Sequence, residues 1–155
     1  MQTTPISNEP EPKHEVNLLY KQLLEAWNQR NAQQFAALYE ANGSQVGFDG
    51  SQMTGPAEIG THLTEIFAHH QTGKYVGIVK NVQMLAENCA LLQAVVGMIP
   101  HGQADLNPAL NAMQLLVAVR RDGKWKIAHF QNTPAAFHGR PEEVERLTQE
   151  LRAAQ

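Results

Sequence analysis

The hydrophobic pattern of this chain changes its period near residue 74, and this change constrains the fold more than any other feature. Before it, apolar residues recur at helical spacing over residues 16–27, 35–39 and 59–67. After it, apolar and polar residues alternate as they do in strands. Amphipathic helices followed by a run of strands predict an α+β domain, with the helices lying on one face of a sheet.

The second half of the chain predicts a four-stranded antiparallel meander. Its last two strands are joined by Asp122-Gly123, a dipeptide typical of a tight two-residue hairpin turn. A short earlier strand is expected to place Val46 and Phe48 on one side, and Pro141 begins a last helix. The meander strands are expected over residues 74–85, 89–99, 111–121 and 124–133.

Local signals also predict where the early helices begin and end. Asn31 is expected to cap the second helix, with Gln34 at its third position. Gly43 is expected to end that helix, and Gly73 to end the third, which opens at Gly55-Pro56.

Length and composition favour one ordinary globular domain. The chain has 155 residues, and 12 Lys and Arg against 15 Asp and Glu give a net charge of −3. This balance gives no electrostatic footprint for nucleic acid or an anionic membrane, so neither partner is expected. We expect a flexible tail over residues 1–13, the domain over 14–137 and a C-terminal helix over 138–155.

Several classes of site and location are disfavoured by motifs that the sequence lacks. Dinucleotide, P-loop and serine-hydrolase motifs are absent, and we expect no cofactor. The sole cysteine, Cys89, excludes an intrachain disulfide. With neither a secretory signal nor a long apolar segment in the sequence, a cytoplasmic location is expected.

Three clusters resemble the nuclear transport factor 2-like superfamily, over about residues 14–136. They are Leu-Leu-Glu-Ala-Trp-Asn at 23–28 with Phe-Ala-Ala-Leu-Tyr at 35–39, Gly-Pro-Ala-Glu-Ile at 55–59, and Arg-Arg-Asp-Gly-Lys-Trp-Lys-Ile-Ala-His-Phe-Gln-Asn-Thr-Pro at 120–134. The last is similar to the SnoaL-like branch and to the association domain of calcium/calmodulin-dependent kinase II. The resemblance implies a cone-shaped fold, with three N-terminal helices packed on a curved mixed or antiparallel sheet, plus a C-terminal helix. It also implies an apolar pocket against the concave face, and a homodimer, often formed through the convex face.

The hairpin register predicts which side chains share a face of the sheet. With Asp122-Gly123 as the loop, Leu116 opposes His129, and Gln114 opposes Gln131. In the kinase association domain, the position matching Leu116 carries a pocket arginine, which implies that this face is the concave one.

Candidate site residues follow from that face and from the helices that border the pocket. His129 and His62 are the candidate catalytic residues, since an imidazole changes charge near neutral pH, and the two rings are expected to approach one cavity. Either histidine could instead be a satisfied core residue. The candidate ligand-binding residues are Gln114, Gln131, Tyr39, Trp27, Phe48 and Leu116.

Carboxylate and metal chemistry have less support. Asp49, the carboxylate nearest to the catalytic aspartate position of steroid-isomerase-like relatives, precedes Gly50 and is typical of a turn. Asp105 lies in a loop expected beside the pocket mouth. His62 and His69 lie seven residues apart, roughly 10 Å along a helix, which is too far to share one zinc ion, and no metal site is expected.

Three functions remain open from the sequence. The first is a SnoaL-like homodimer that binds a small apolar or aromatic molecule. The second is a cofactor-independent lyase, isomerase or cyclase that uses a pocket histidine. The third is an oligomerisation module resembling the kinase association domain.

Overall fold

The structure is a computed structural model that describes residues 11–155. The expected α+β class is confirmed, and so is the order of N-terminal helices, sheet and C-terminal helix, except that two short strands precede the third helix where one was predicted. The elements are α1 (Pro12–Asn28), α2 (Ala32–Ala37), β1 (Tyr39–Val46), β2 (Gln52–Thr54), α3 (Pro56–His69), β3 (Lys74–Ala86), β4 (Cys89–Ile99), β5 (Ala112–Arg121), β6 (Lys124–Pro134) and α4 (Pro141–Ala153). A flexible tail was predicted for residues 1–13, and residues 1–10 lie outside the described residues. Within the described part, α1 already begins at Pro12.

The strands form one mixed sheet in the order β2-β1-β6-β5-β4-β3. β1 runs parallel to β6 and every other pair is antiparallel. Helices α1 and α3 bury Leu23 and Leu63 against the face that carries Leu92 and Leu116, which we call the inner face. α4 lies on the opposite, outer face, over β3 and β4.

The predicted starts of α2, α3 and α4 and the hairpin turn are confirmed, whereas two predicted helix ends are wrong. Asn31 Oδ1 accepts a hydrogen bond from Gln34 N at 2.9 Å and so caps α2. Gly43 lies inside β1, where a Cβ atom would meet the carbonyl oxygen of Ile127 at 2.6 Å, so close strand packing requires glycine there. α3 ends at His69, four residues before Gly73, so Gly73 does not end the helix. The missing side chain of Gly73 instead makes room for Met98 and Ile99 of β4.

The β5–β6 hairpin follows the predicted register only near its turn. Arg120 pairs with Trp125 and Ala118 pairs with Ile127, as expected. Beyond them the register shifts, so that Val117 opposes His129.

The shift is a β-bulge, and it reverses the face of every later β6 side chain. Leu116 pairs with Phe130 and Gln114 with Asn132, so the predicted Leu116–His129 and Gln114–Gln131 pairs are wrong. Ile127 and Phe130 are both buried on the inner face although they lie three residues apart, which regular alternation forbids. The extra residue therefore buries two large apolar side chains and turns His129 outwards.

Candidate functional site

A cavity of about 210 Å³ lies between α1, α3 and the inner face of the sheet. Its walls are mostly aliphatic and aromatic, with a few polar side chains, as in small-molecule binding sites. The lining residues are Leu23, Leu24, Trp27, Phe35, Gln45, Gly47, Phe48, Asp49, Ser51, Met53, His62, Leu63, Ile66, Tyr75, Phe130 and Asn132.

Trp27 forms one aromatic wall of the cavity, and its position is fixed by its neighbours. Its ring lies 5.3 Å from that of Phe67, nearly edge-on, and 5.1 Å from that of Tyr75. The indole Nε1 donates a hydrogen bond to the carbonyl oxygen of Gly73 at 3.0 Å. Phe48 also lines the cavity and is 38% exposed, which places it at the mouth.

His62 lies beside the buried stripe of α3 and lines the cavity. Its neighbours Ile59 and Leu63 are fully buried, while His62 itself is half-buried. Asp49 borders the same cavity, and its Oδ1 accepts a hydrogen bond from Ser51 N at 2.9 Å. That bond is the main cause that lowers the pKa of Asp49, and the charge of His62 lowers it further. Asp49 is therefore both the predicted turn former and an ionised neighbour of His62.

Two hydrogen-bonded groups join cavity-lining amides to side chains behind the cavity wall. Tyr20 Oη donates to Gln114 Oε1 at 2.6 Å, and Gln114 Nε2 donates to Asn132 Oδ1 at 2.7 Å. Tyr39 Oη donates to Gln45 Oε1. Asn132 and Gln45 use their oxygens in these bonds, so the amide nitrogen of each is available to the cavity.

Tyr75, on β3, is a cavity residue that sequence reasoning missed. Burial raises the pKa of its hydroxyl to about 12, so the group remains a hydrogen-bond donor at neutral pH. Burial also raises the pKa of Tyr20 and of Tyr39, and nearness to Tyr75 raises both further. All three hydroxyl groups are therefore neutral hydrogen-bond donors at neutral pH.

The other predicted site residues lie away from the cavity surface. Leu116 is fully buried in the core, and Gln114 and Tyr39 lie in the layer behind the lining. His129 and Gln131 lie on the outer face because of the β-bulge. The expectation that the His62 and His129 rings meet in one cavity is therefore wrong.

Residues 11–155 contain no group of three or more His, Cys, Asp and Glu side chains placed to hold a metal ion. None of the helices in this part of the chain has the length and apolar character needed to cross a bilayer.

Comparisons with known proteins identify the fold. No protein-family model and no curated protein matches the sequence. A domain of unknown function with a cystatin-like fold from Nostoc punctiforme superposes with a TM-score of 0.77 at 22% identity, over 91% of this chain and 94% of that one. A protein of unknown function described as NTF-2 like, from Shewanella oneidensis, gives 0.66 at 17% identity, over 79% and 99%. A ketosteroid isomerase-like protein from Erwinia carotovora gives 0.66 at 15% identity, over 82% and 98%. The chain therefore shares the fold of these solved structures, the first of which is described as cystatin-like and the second as NTF-2 like.

Proposed function

We propose that this protein binds a small, mostly apolar molecule built on a single ring in the cavity between α1, α3 and the sheet. The apolar cavity of about 210 Å³ is the observation that carries the proposal. A dry protein cavity of about 150 Å³ accommodates benzene, so the larger volume suits a ring with one or two substituents.

The polar side chains that line the cavity favour a ligand with a hydrogen-bond acceptor. Tyr75 supplies a hydroxyl donor, and Gln45 and Asn132 supply amide donors, all bordering one cavity. A ring bearing a carbonyl or phenolic oxygen satisfies these donors while its carbon atoms contact Trp27 and Ile66. A purely hydrocarbon ligand leaves them unpaired and binds more weakly.

Calorimetric titration with a panel of substituted cyclohexanones, phenols and benzaldehydes tests the proposal. Ile66→Trp fills the cavity and should abolish binding, whereas Ala68→Trp introduces the same side chain on the exposed side of α3 and should leave binding unchanged. Tyr75→Phe should weaken binding of a carbonyl compound by about tenfold. Binding that survives Ile66→Trp would place the ligand elsewhere and contradict the proposal.

A second candidate function is proton transfer to or from the bound ligand. The observation that favours it is that His62, the ionised Asp49 and Tyr75 line the same cavity. His62 then removes a proton next to the ligand carbonyl, and Tyr75 donates a hydrogen bond to the oxygen where charge develops. This is the chemistry of a cofactor-independent isomerase or lyase, and a ketosteroid isomerase-like protein shares the fold.

Exchange of ligand C–H protons in D₂O, followed by NMR on the tightest cyclohexanone of the panel, separates a binder from a catalyst. His62→Gln preserves size and hydrogen bonding but cannot take up a proton, and it should lower the exchange rate by roughly 10²-fold without loss of binding. An exchange rate equal to that of the free ketone in the unmodified protein would leave binding as the function.

A further inference from the structure

Three side chains form a hydrogen-bonded row on the outer face of the sheet, away from the cavity. Ser44 Oγ lies 2.8 Å from His129 Nδ1, and His129 Nε2 lies 2.9 Å from Gln131 Oε1. All three are half-buried. The parallel pairing of β1 with β6 sets this row, because Ser44 lies opposite His129 and Val46 opposite Gln131.

The hydrogen bonds determine which nitrogen of His129 is a base. The amide oxygen of Gln131 can only accept a hydrogen bond, so it holds the ring proton on Nε2. Nδ1 is then unprotonated and accepts the hydrogen of the Ser44 hydroxyl. A serine nucleophile is activated when its hydroxyl is hydrogen-bonded to a base and a third group orients that base. Ser44, His129 and Gln131 have this arrangement.

We propose that Ser44 is an acyl-accepting nucleophile, with His129 as its general base and Gln131 as the positioning residue. The substrate class is activated esters, such as aryl esters. Ser44 lies on a half-buried face and not in a deep cleft, so few groups can stabilise the transition state. A substrate with a good leaving group is therefore required. This site is separate from the proposed ligand cavity and does not depend on it.

The reaction is balanced without a cofactor. Ser44 Oγ attacks the ester carbonyl carbon while its proton moves to His129 Nδ1. The tetrahedral adduct expels the aryl oxide, which takes the proton from His129 and leaves as the phenol, and Ser44 carries the acyl group. Water then attacks the acyl-serine, releases the carboxylic acid and restores the Ser44 hydroxyl.

The test is incubation of the full chain with 4-nitrophenyl acetate, with nitrophenolate release followed by absorbance and acetylated positions mapped by peptide mass spectrometry. We expect the acetyl group on the peptide that contains Ser44. Ser44→Ala should remove this label, and His129→Ala should slow labelling of Ser44 by roughly 10²-fold or more. His101→Ala removes an exposed histidine and controls for background ester hydrolysis by surface imidazoles.

Replacement of Gln131 distinguishes a catalytic row from a merely structural one. Gln131→Glu should accelerate labelling of Ser44, because a carboxylate stabilises the imidazolium that forms on His129 better than an amide does. Circular dichroism of each variant verifies that it is folded. Acetylation confined to lysines or histidines, or a Ser44 label unaffected by His129→Ala, would overturn the proposal. Absence of any acetyl label on Ser44 would also overturn the proposal, even if the cause were a second copy of the chain covering this face.

Discussion

At the scale of single residues, Arg30 links the turn after α1 to the end of α3. Its backbone has φ of 58°, a left-handed conformation that costs a non-glycine residue about 1 kcal/mol. The guanidinium offsets that cost, since it donates hydrogen bonds to the carbonyl oxygens of Phe67 and His70 and to the hydroxyl of Thr72. It also lies over the Phe67 ring, 5.3 Å from the centroid. Because Phe67 packs on Trp27, this one side chain supports a wall of the cavity.

Two substitutions at Arg30 separate the side-chain contacts from the backbone cost. Arg30→Ala should lower the free energy of unfolding by about 1–2 kcal/mol, because the last turn of α3 loses its donors. Arg30→Gly loses the same donors but relieves the strained φ, and should be about 1 kcal/mol more stable than the alanine variant. Urea denaturation measures both, and an alanine variant as stable as the glycine variant would show that the backbone carries no strain.

At the scale of secondary-structure elements, α4 is fixed to the sheet by an apolar contact and one buried polar pair. Leu147 and Leu151 pack with Val95 and Leu106, while Asn111 Nδ2 donates to Thr148 Oγ1 at 3.0 Å. The Thr148 hydroxyl in turn donates a hydrogen bond to the carbonyl oxygen of Val144.

Removing the Thr148 hydroxyl should therefore leave a buried amide unsatisfied. Thr148→Val keeps the shape of the side chain but leaves Asn111 Nδ2 without a hydrogen-bond acceptor. The free energy of unfolding should fall by roughly 1–3 kcal/mol. Thr64→Val is the matched control, because its hydroxyl makes the same bond to a carbonyl four residues earlier but is exposed. Equal thermal shifts in the two variants would show that the Asn111 bond contributes nothing.

How far the elements could be predicted depends on whether their signals are local. Helix periodicity, the Asn31 cap and the Asp122-Gly123 turn depend on neighbouring residues, and all appear in the structure. The bulge in β6 depends on burial by other elements, and it reversed the predicted face of His129. One trace of it was present in the sequence, since Ile127 and Phe130 are both large and apolar at a spacing that a regular strand cannot bury on one face.

The sequence placed Trp27 and His62 on or beside the apolar faces of their helices, and the family resemblance, not helix phase, implied that those helices border a pocket. Both residues line the cavity. Tyr75, Gln45 and Asn132 come from three different strands, and their approach depends on the pairing of β1 with β6 and on the curvature of the sheet. A single sequence carries no direct signal for those long-range pairings.

At the scale of the whole molecule, folding buries Tyr20 and Tyr39 in the core and places the half-buried Tyr75 in the cavity wall. The three tyrosines are Tyr20, Tyr39 and Tyr75, and burial is the largest cause of the raised pKa of each. In the unfolded chain all three hydroxyls ionise near pH 10. The folded state therefore keeps protons that the unfolded state loses, and alkaline pH favours unfolding.

The sign and slope of this effect give a prediction for the intact protein. At pH 8 both states hold all three phenolic protons, so the tyrosines contribute no pH dependence. As pH rises from about 10 towards 12, the unfolded chain loses up to three protons that the folded chain retains. The free energy of unfolding should then fall by up to about 4 kcal/mol per pH unit, at about 1.4 kcal/mol for each proton.

Urea denaturation at a series of pH values, with tyrosinate absorbance recorded in the same samples, tests this coupling. Ionisation should appear together with unfolding rather than before it, because the raised pKa values keep the phenols protonated in the folded state over this pH range. Tyr39→Phe should reduce the tyrosine part of the slope by about a third, since one of the three linked protons is gone. Tyrosinate that forms near pH 10 while the protein remains folded would mean that water reaches these hydroxyls freely, and the cavity would then be a hydrated cleft instead of an apolar binding site.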